Sequence, residues 1–310
     1  VRFLVTGAYG CIGAWTVREL VADGRHVVTF DLSTEPRRLR LLLDADAVAA
    51  IPHVAGDISD LATVEGAIDV HGITHVIHLA ALQVPFCRAD PPLGARVNVV
   101  GTVNVFEAAK TRPALAPLVY ASSIAAFDAN GTFADQPGTI YGVYKRANEA
   151  TAAVFHAENG ISSTGLRPHT VYGIGRDQGL TSAPTTAMLA AAAGRAYTIP
   201  YGGAAQLQLA RDVARAFIAA SLAEHEGAAV HNLSGRRVSV AEIVAALGVD
   251  NIGYDDVRLP FPEEVDSSSF TAAFPGFAET ALEQGVAETV DRFRTLLAEG
   301  LVTAPEQGER

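Results

Sequence analysis

Residues 1–13 read Val1-Arg2-Phe3-Leu4-Val5-Thr6-Gly7-Ala8-Tyr9-Gly10-Cys11-Ile12-Gly13. Val1–Thr6 is a short β-rich run, and a glycine-rich loop follows it at once. From Cys11 apolar residues recur at helical spacing (Ile12, Trp15, Val17, Leu20, Val21) and the pattern stops at Asp23-Gly24. A second strand, His26–Phe30, ends at Asp31. Strand, glycine loop, helix, strand and acidic residue within about 30 positions form the βαβ unit that seats a dinucleotide. The glycines permit a tight turn and let the backbone of Gly7, Tyr9, Gly10, Cys11, Ile12 and Gly13 approach a pyrophosphate at the positive end of a helix. Asp31, with Leu32 beside it, is placed to accept the adenosine ribose hydroxyls. A carboxylate there repels a ribose phosphate, so NAD is favoured over NADP, with Arg37 and Arg38 as the counter-evidence.

The alternation continues down the chain. Pro52–Ala55 leads into Gly56-Asp57-Ile58, where Asp57 and Ile58 are placed to meet adenine, and a helix is expected over Ser59–Val70. Thr74–Leu79 reads as a buried strand ending in His78-Leu79-Ala80-Ala81. A long helix is expected over Pro92–Lys110, containing Asn98. Pro117–Ser122 is a strand, a helix carries Tyr141 to Asn159, and Ser162–Leu166 is another strand. Such alternation predicts an α/β fold with a doubly wound parallel sheet and helices on both faces. Ligands then bind beyond the carboxyl ends of the strands, where Gly7, Asp31, Asp57, Ala80, Ser122, Ser123 and Arg167-Pro168 all fall. Past Arg167 the pattern loosens: Val171–Arg176 reads as a loop, Ala187–Ala193 as a small-residue helix, and Ser239–Leu247 and Glu283–Leu297 as amphipathic helices. The expected organisation is a cofactor-binding domain over 1–168, with 205–235 returning to it. A smaller lobe over 169–204 and 236–310 then covers the cleft, where a substrate pocket belongs. Thr303–Arg310 is expected to fray.

Composition narrows the function classes. The chain has 310 residues, 49% apolar and 18% charged, which is globular, and its net charge of −11 argues against nucleic acid or an anionic membrane as the main partner. Two cysteines, Cys11 and Cys87, are too few for a disulfide framework or a zinc site, so no metal is expected and the location expected is cytoplasmic. No apolar run nears 18 residues and no leader pattern precedes the first strand, so no membrane span is expected.

The chemistry centres on Tyr120-Ala121-Ser122-Ser123 and Tyr141-Gly142-Val143-Tyr144-Lys145. At four residues apart in a helix, Tyr141 and Lys145 share a face. An ammonium beside a phenol favours the phenolate and gives a proton donor and acceptor usable near neutral pH. The chain holds 2 lysines among its 23 basic residues, and one of the two stands here. Ser122 or Ser123 supplies a hydroxyl for the substrate oxygen. Gln83, His169 and Arg176 are substrate-side candidates, Arg176 for an anionic group. His78 reads as a structural strand-end residue and Cys11 as a small packing residue.

Laid end to end, these motifs resemble the extended short-chain dehydrogenase/reductases, and more narrowly the NAD-dependent epimerase/dehydratase family typified by UDP-glucose 4-epimerases. The likeness extends through Leu166-Arg167-Pro168, Val171-Tyr172-Gly173, Arg211-Asp212-Val213-Ala214 and Glu283-Gln284-Gly285-Val286. It implies a Rossmann fold binding NAD. In it Tyr141 is the general acid/base, Lys145 lowers its pKa and binds the nicotinamide ribose, and Ser123 holds the reacting oxygen, with Ser122 as the close alternative. Leu79, Ala80, Ala81, Asn98, Pro168 and Val171 line the cofactor, the backbone around His169–Val171 meeting the nicotinamide amide. The resemblance also implies a homodimer packed through the Pro92–Lys110 and Tyr141–Asn159 helices. Two departures bear on the substrate. Thr170 stands where nucleotide-sugar epimerases carry an asparagine, and Gly202–Gln208 lacks the arginine that grips a diphosphate. Ser122-Ser123-Ile124 replaces the threonine-acid-acid run of the dehydratases, so dehydration is not expected. The expectation is NAD-dependent hydride transfer at a hydroxyl or keto carbon of a sugar, sugar acid or related polyol, with a UDP-sugar 4-epimerase that keeps its NAD as the alternative.

Overall fold

The chain forms twelve strands among its described residues: β1 (Arg2–Thr6), β2 (His26–Asp31), β3 (His53–Ala55), β4 (His75–His78), β5 (Leu118–Ala121), β6 (Ser163–Arg167), β7 (Thr170–Tyr172), β8 (Tyr197–Ile199), β9 (Ala204–Leu209), β10 (Ala228–Asn232), β11 (Arg237–Ser239) and β12 (Ile252–Tyr254). This computed structural model describes residues 1–128, 131–133, 136–259 and 261–305. Of the Thr303–Arg310 stretch expected to fray, residues 306–310 lie outside the described residues.

Seven strands make one sheet in the order β10-β6-β5-β4-β1-β2-β3, and every pairing in it is parallel. The period-two pleat sorts β1 onto two faces. Phe3 and Val5 face the Cys11–Ala22 helix (Ala14, Val17, Leu20) and the Ala210–Leu222 helix (Val213, Ala216, Phe217). Leu4 faces the Leu61–His71 helix (Val64, Ala67, Ile68), the Gly101–Lys110 helix (Val105, Phe106) and Ala152 of the Ile140–Asn159 helix. Phe3, Phe30, Phe106 and Phe217 are among the largest fully buried side chains, each of a kind whose truncation to Ala costs about 3–5 kcal/mol. The doubly wound α/β fold is therefore as the sequence indicates. Strand order reverses between β1 and β4, so the crevice opens at the carboxyl ends of those two strands.

Three details differ from expectation. Val171-Tyr172 is not loop: β7 pairs in parallel with β9, Thr170 opposite Leu207. The single helix expected over Pro92–Lys110 is three pieces, Pro91–Ala95, a π turn at Arg96–Val100, and Gly101–Lys110. A further short helix, Val84–Ala89, precedes them. Of the 205–235 segment, the Ala210–Leu222 helix and β10 lie on the main sheet, while β9 belongs to a three-stranded sheet β11-β9-β7. That small sheet packs Leu207, Leu209 and Val238 against Val286, Val290 and Phe293 of the Leu282–Ala298 helix.

Candidate active site

The residues at the six strand ends converge. Gly7 adopts a left-handed φ of 65°, and a Cβ there would lie 2.6 Å from the Ala80 nitrogen, so the first turn and the Leu79-Ala80 backbone are in contact. The following helix begins at Gly10 with no side-chain cap, and Ala14 is bonded back to the Gly10 carbonyl at 2.9 Å. The N–H groups of Cys11, Ile12 and Gly13 thus precede the helix's internal ladder and point from its positive end. Asp31 accepts from the Tyr9 N–H at 2.9 Å and the Ser33 N–H at 3.0 Å, one bond per oxygen, leaving a lone pair on each for a vicinal diol. An uncapped helix N-terminus, a glycine cradle and a carboxylate with spare acceptors fit the pyrophosphate and adenosine ribose of NAD. Arg37 and Arg38 do not offset this: both pair with Asp177, and Arg38 also donates to the Tyr9 carbonyl.

The side chains of the other cofactor candidates make the following contacts within the chain. The Tyr9 ring stacks on His53 with centroids 4.8 Å apart. Leu32 is 75% exposed. The Asp57 carboxylate turns back onto the Ser59 N–H and hydroxyl, both at 2.8 Å. Ile58 is buried in the core and its carbonyl accepts from Asn104. Ala81 precedes Leu82, whose N–H and C=O are both held by the Asn98 side chain, at 3.0 and 3.1 Å. Burial pushes the Cys11 thiol up to about 11, as suits a packing residue.

Beneath the crevice a buried relay fixes the β4 end. The Leu79 and Ala80 N–H groups donate to the Thr6 hydroxyl, which donates to His78 Nδ1 at 2.7 Å. His78 Nε2 then donates to Thr102 at 3.1 Å, and Thr102 to the Asn98 carbonyl at 2.8 Å. That carbonyl also accepts from Asn148 on the tyrosine helix at 2.9 Å. Burial pushes His78 down to about 3, so it stays neutral and structural.

At the reacting end, Thr139 caps the Ile140–Asn159 helix through the Gly142 N–H. A Cβ on Gly142 would lie 2.0 Å from the Ala125 carbonyl, so only glycine lets the helix start press on the turn after Ser123. This contact brings Tyr141 near Ser123, whose hydroxyl accepts from the Ala125 N–H at 3.1 Å and is close enough to the phenol to lower its pKa. Ser122 is turned away, donating to Glu149. Of the two serines left open by the sequence, Ser123 is thus the one beside the phenol. Lys145 is 3% exposed, donates to the Ala121 carbonyl at 2.7 Å, and lies 5.5 Å from the Tyr141 ring centre. The expectation that Lys145 lowers the phenol's pKa is not met in the free chain. Burial pushes Tyr141 up to about 12 although the nearby Ser123 hydroxyl lowers it, and burial brings Lys145 down to about 8. The lysine is spent on a carbonyl and weakened by the same desolvation.

On the substrate side, Arg176 and Gln83 meet, with Arg176 donating to the Gln83 Oε1 at 3.3 Å and to Thr181 at 2.8 Å. Arg176 is close enough to lower the pKa of Tyr141, and its Nε is buried with no partner among the described residues. His169 is less free than expected: its Nε2 donates to the Pro262 carbonyl at 2.9 Å and burial takes it down to about 4. Thr170 lines a small cavity with Pro184, Tyr201 and Leu259. The Pro168 carbonyl accepts from Ile124 at 3.1 Å, and Val171 is core. Glu149 was missed from the sequence, although its place four residues after Lys145 continues the Tyr141–Lys145 stripe.

Comparisons with known proteins agree with this geometry. The model of the NAD dependent epimerase/dehydratase family matches residues 3–234. UDP-glucuronate 4-epimerase 2 of Arabidopsis thaliana is 34% identical over 187 residues, covering 56% of this chain and 42% of that protein. The chain therefore spans less than half of that relative's length. Among solved structures, MoeE5 in complex with UDP-glucuronic acid and NAD is 27% identical with a TM-score of 0.75, covering 95% of this chain and 99% of that one. The UDP-glucose 4-epimerase of Thermus thermophilus in complex with NAD has the same fold, with 24% identity, a TM-score of 0.78, and coverage of 95% and 99%. With the glycine cradle, Asp31 and the Ser123–Tyr141–Lys145 cluster already in place, the chain belongs to the NAD dependent epimerase/dehydratase family of extended short-chain dehydrogenase/reductases, and NAD is its cofactor.

Proposed function

We propose that the chain is an NAD-dependent oxidoreductase acting at a secondary hydroxyl or keto carbon of a sugar acid or related polyol not tethered through a diphosphate. The observation that carries this is the segment Gly202–Gln208, which contains no basic side chain. Basic residues close by are already committed: Arg237 and Arg258 to Glu263, and Arg236 to Glu242. A diphosphate seated there would lack the charge-assisted bonds it needs and would meet Glu263. Arg176, beside Tyr141 with an unpartnered Nε, suits a substrate carboxylate. In this reading Tyr141 exchanges a proton with the reacting oxygen, Ser123 holds that oxygen, and Lys145 supplies positive charge. Bound NAD supplies the hydride acceptor.

The second reading is a UDP-uronate 4-epimerase, favoured by the relatives' identity over 187 residues. Incubating purified protein with NAD and a panel of free uronic acids, aldonic acids, sugars and UDP-sugars separates the two. Growth of free NADH absorbance with a free acid supports the dehydrogenase. Interconversion of a UDP-sugar with no free NADH rejects it. With a free acid as substrate, Arg176→Ala is expected to raise KM by roughly 10- to 100-fold, the scale of a lost charge-assisted bond of about 1.5–3 kcal/mol.

A homodimer is proposed as well. Phe86, Leu93, Val100 and Val143 are 45%, 40%, 44% and 42% exposed on the adjoining segments 84–100 and 140–159, and a second copy would cover them. Sedimentation should give a dimer that Phe86→Asp with Val143→Asp converts to monomer; a monomeric parent sinks the idea. No helix among the described residues is long and apolar enough to cross a membrane. The free thiols of Cys11 and Cys87 suit a cytoplasmic location, which is proposed on that ground.

A further inference from the structure

We infer that Glu149, held in place by Arg167, is a positioning residue that acts through Ser122 to direct Ser123 at Tyr141. The inference rests on Ser123 and Tyr141 being the reacting pair. Tyr141, Lys145 and Glu149 stand at successive four-residue steps on one helix face. The first two meet the substrate end, and Glu149, 9% exposed, meets the end of β5 from below. There the Ser122 N–H is fixed to the Leu166 carbonyl at 2.8 Å, and its hydroxyl donates to Glu149 Oε1.

Ser123 continues in extended backbone, with φ −166° and ψ 153°. Consecutive side chains in extended backbone point to opposite sides. Anchoring Ser122 to Glu149 therefore sends Ser123 the other way, to the phenol. The Ser123 hydroxyl is held on that side by the Ala125 N–H at 3.1 Å, and releasing the Ser122 hydroxyl would leave this as its one anchor among the described residues.

Arg167, at the end of β6, fixes the Glu149 carboxylate with a two-pronged pair, Nε to Oε1 at 2.7 Å and Nη2 to Oε2 at 2.6 Å. Its Nη1 donates to Asn232 of β10 at 3.2 Å. Its guanidinium stacks on Phe127 and Phe133, 4.8 and 4.6 Å from the ring centres, and those rings contact each other edge-on at 4.7 Å. Both phenylalanines belong to the segment between Ser123 and Tyr141, so the pair is sealed by the stretch whose ends it aligns. A buried ion pair is a poor source of net stability, and its orientation of Ser122 gives it a reason to be there.

The test reads the phenol and needs no substrate. In NAD-loaded protein labelled with 13Cζ-tyrosine, the Tyr141 resonance is assigned by its absence in Tyr141→Phe. Ser123→Ala is expected to displace it, since the phenol loses a hydrogen-bond partner. Ser122→Ala, which deletes only the relay, is expected to give at least half of that displacement and to add nothing in the Ser123→Ala background. Ser122→Thr, which keeps the hydroxyl, is expected to restore the parent signal. Glu149→Gln should follow Ser122→Ala; if it fails to fold, the serine variants still decide. A resonance unmoved by Ser122→Ala but displaced by Ser123→Ala overturns the positioning role. One unmoved by Ser123→Ala overturns the Ser123–Tyr141 pairing itself.

Discussion

Replacing Tyr141 by Phe is expected to abolish turnover and leave NAD binding nearly intact. The ring is retained, so its packing beside Lys145, with the ammonium 5.5 Å from the ring centre, survives; only the phenol oxygen beside Ser123 is lost. A positioned proton donor and acceptor contributes roughly 10²- to 10⁴-fold, so a loss of about 10³-fold is the central expectation. The pKa of about 12 fixes the direction of the pH dependence. At neutral pH the phenol of the free chain carries its proton, which suits donation to a carbonyl and opposes abstraction from an alcohol. Oxidation should therefore accelerate with rising pH, until Lys145, held down at about 8, gives up its charge. Reduction should not show the rising limb. Measuring NADH formation against pH in parent and variant checks both points. Activity within tenfold of the parent, or a rising limb that survives in Tyr141→Phe, removes Tyr141 from the chemistry.

What the sequence disclosed, and what it withheld, follows from the range of the interactions. The glycine loop, Asp31 and the Tyr141–Lys145 pair are local patterns, each set by a turn or a helix repeat within about 30 residues. The parallel sheet followed because its strands are short apolar runs bounded by glycine and acidic residues. Ser122 and Ser123 were indistinguishable because the choice depends on Glu149 and Tyr141 pulling from opposite sides, a tertiary fact. Three-residue β7 has no visible periodicity, and its partner β9 begins more than thirty positions later. The π turn at Asn98 was hidden because its residues also suit an α-helix; what the turn accompanies is an Asn98 carbonyl that accepts from both Thr102 and Asn148. Arg176 and Gln83 are 93 positions apart, and no local pattern links them. The effect of Lys145 on the Tyr141 phenol differs from expectation for a related reason: spacing shows which charges are neighbours but not how deeply they are buried.

Gly13→Ala is expected to weaken NAD binding sharply. A Cβ at this position would lie 2.1 Å from the Gly7 carbonyl oxygen and 2.9 Å from the Ala8 Cα. These are backbone atoms, so no side chain can rotate out of the way. Relief requires the Cys11–Ala22 helix to move off the first glycine turn, and that contact aligns the N–H groups of residues 11–13. Overpacking of this kind costs typically 1–3 kcal/mol in stability. The larger effect falls on the cofactor, whose affinity is expected to drop on the order of 100-fold, equivalent to about 2.7 kcal/mol. Gly66→Ala provides the contrast: it lies in the Leu61–His71 helix with nothing within 4 Å of an added Cβ. That substitution should stabilise the chain by about 0.5–1 kcal/mol through backbone entropy and helix propensity. Thermal unfolding with and without NAD distinguishes them. Gly13→Ala should unfold at lower temperature and need about 100-fold more NAD for the same upward shift, whereas Gly66→Ala should unfold slightly higher and keep the full shift. If Gly13→Ala retains the NAD-dependent shift at the parent's NAD concentrations, the cofactor does not depend on this cradle, and the pyrophosphate must sit elsewhere along the crevice.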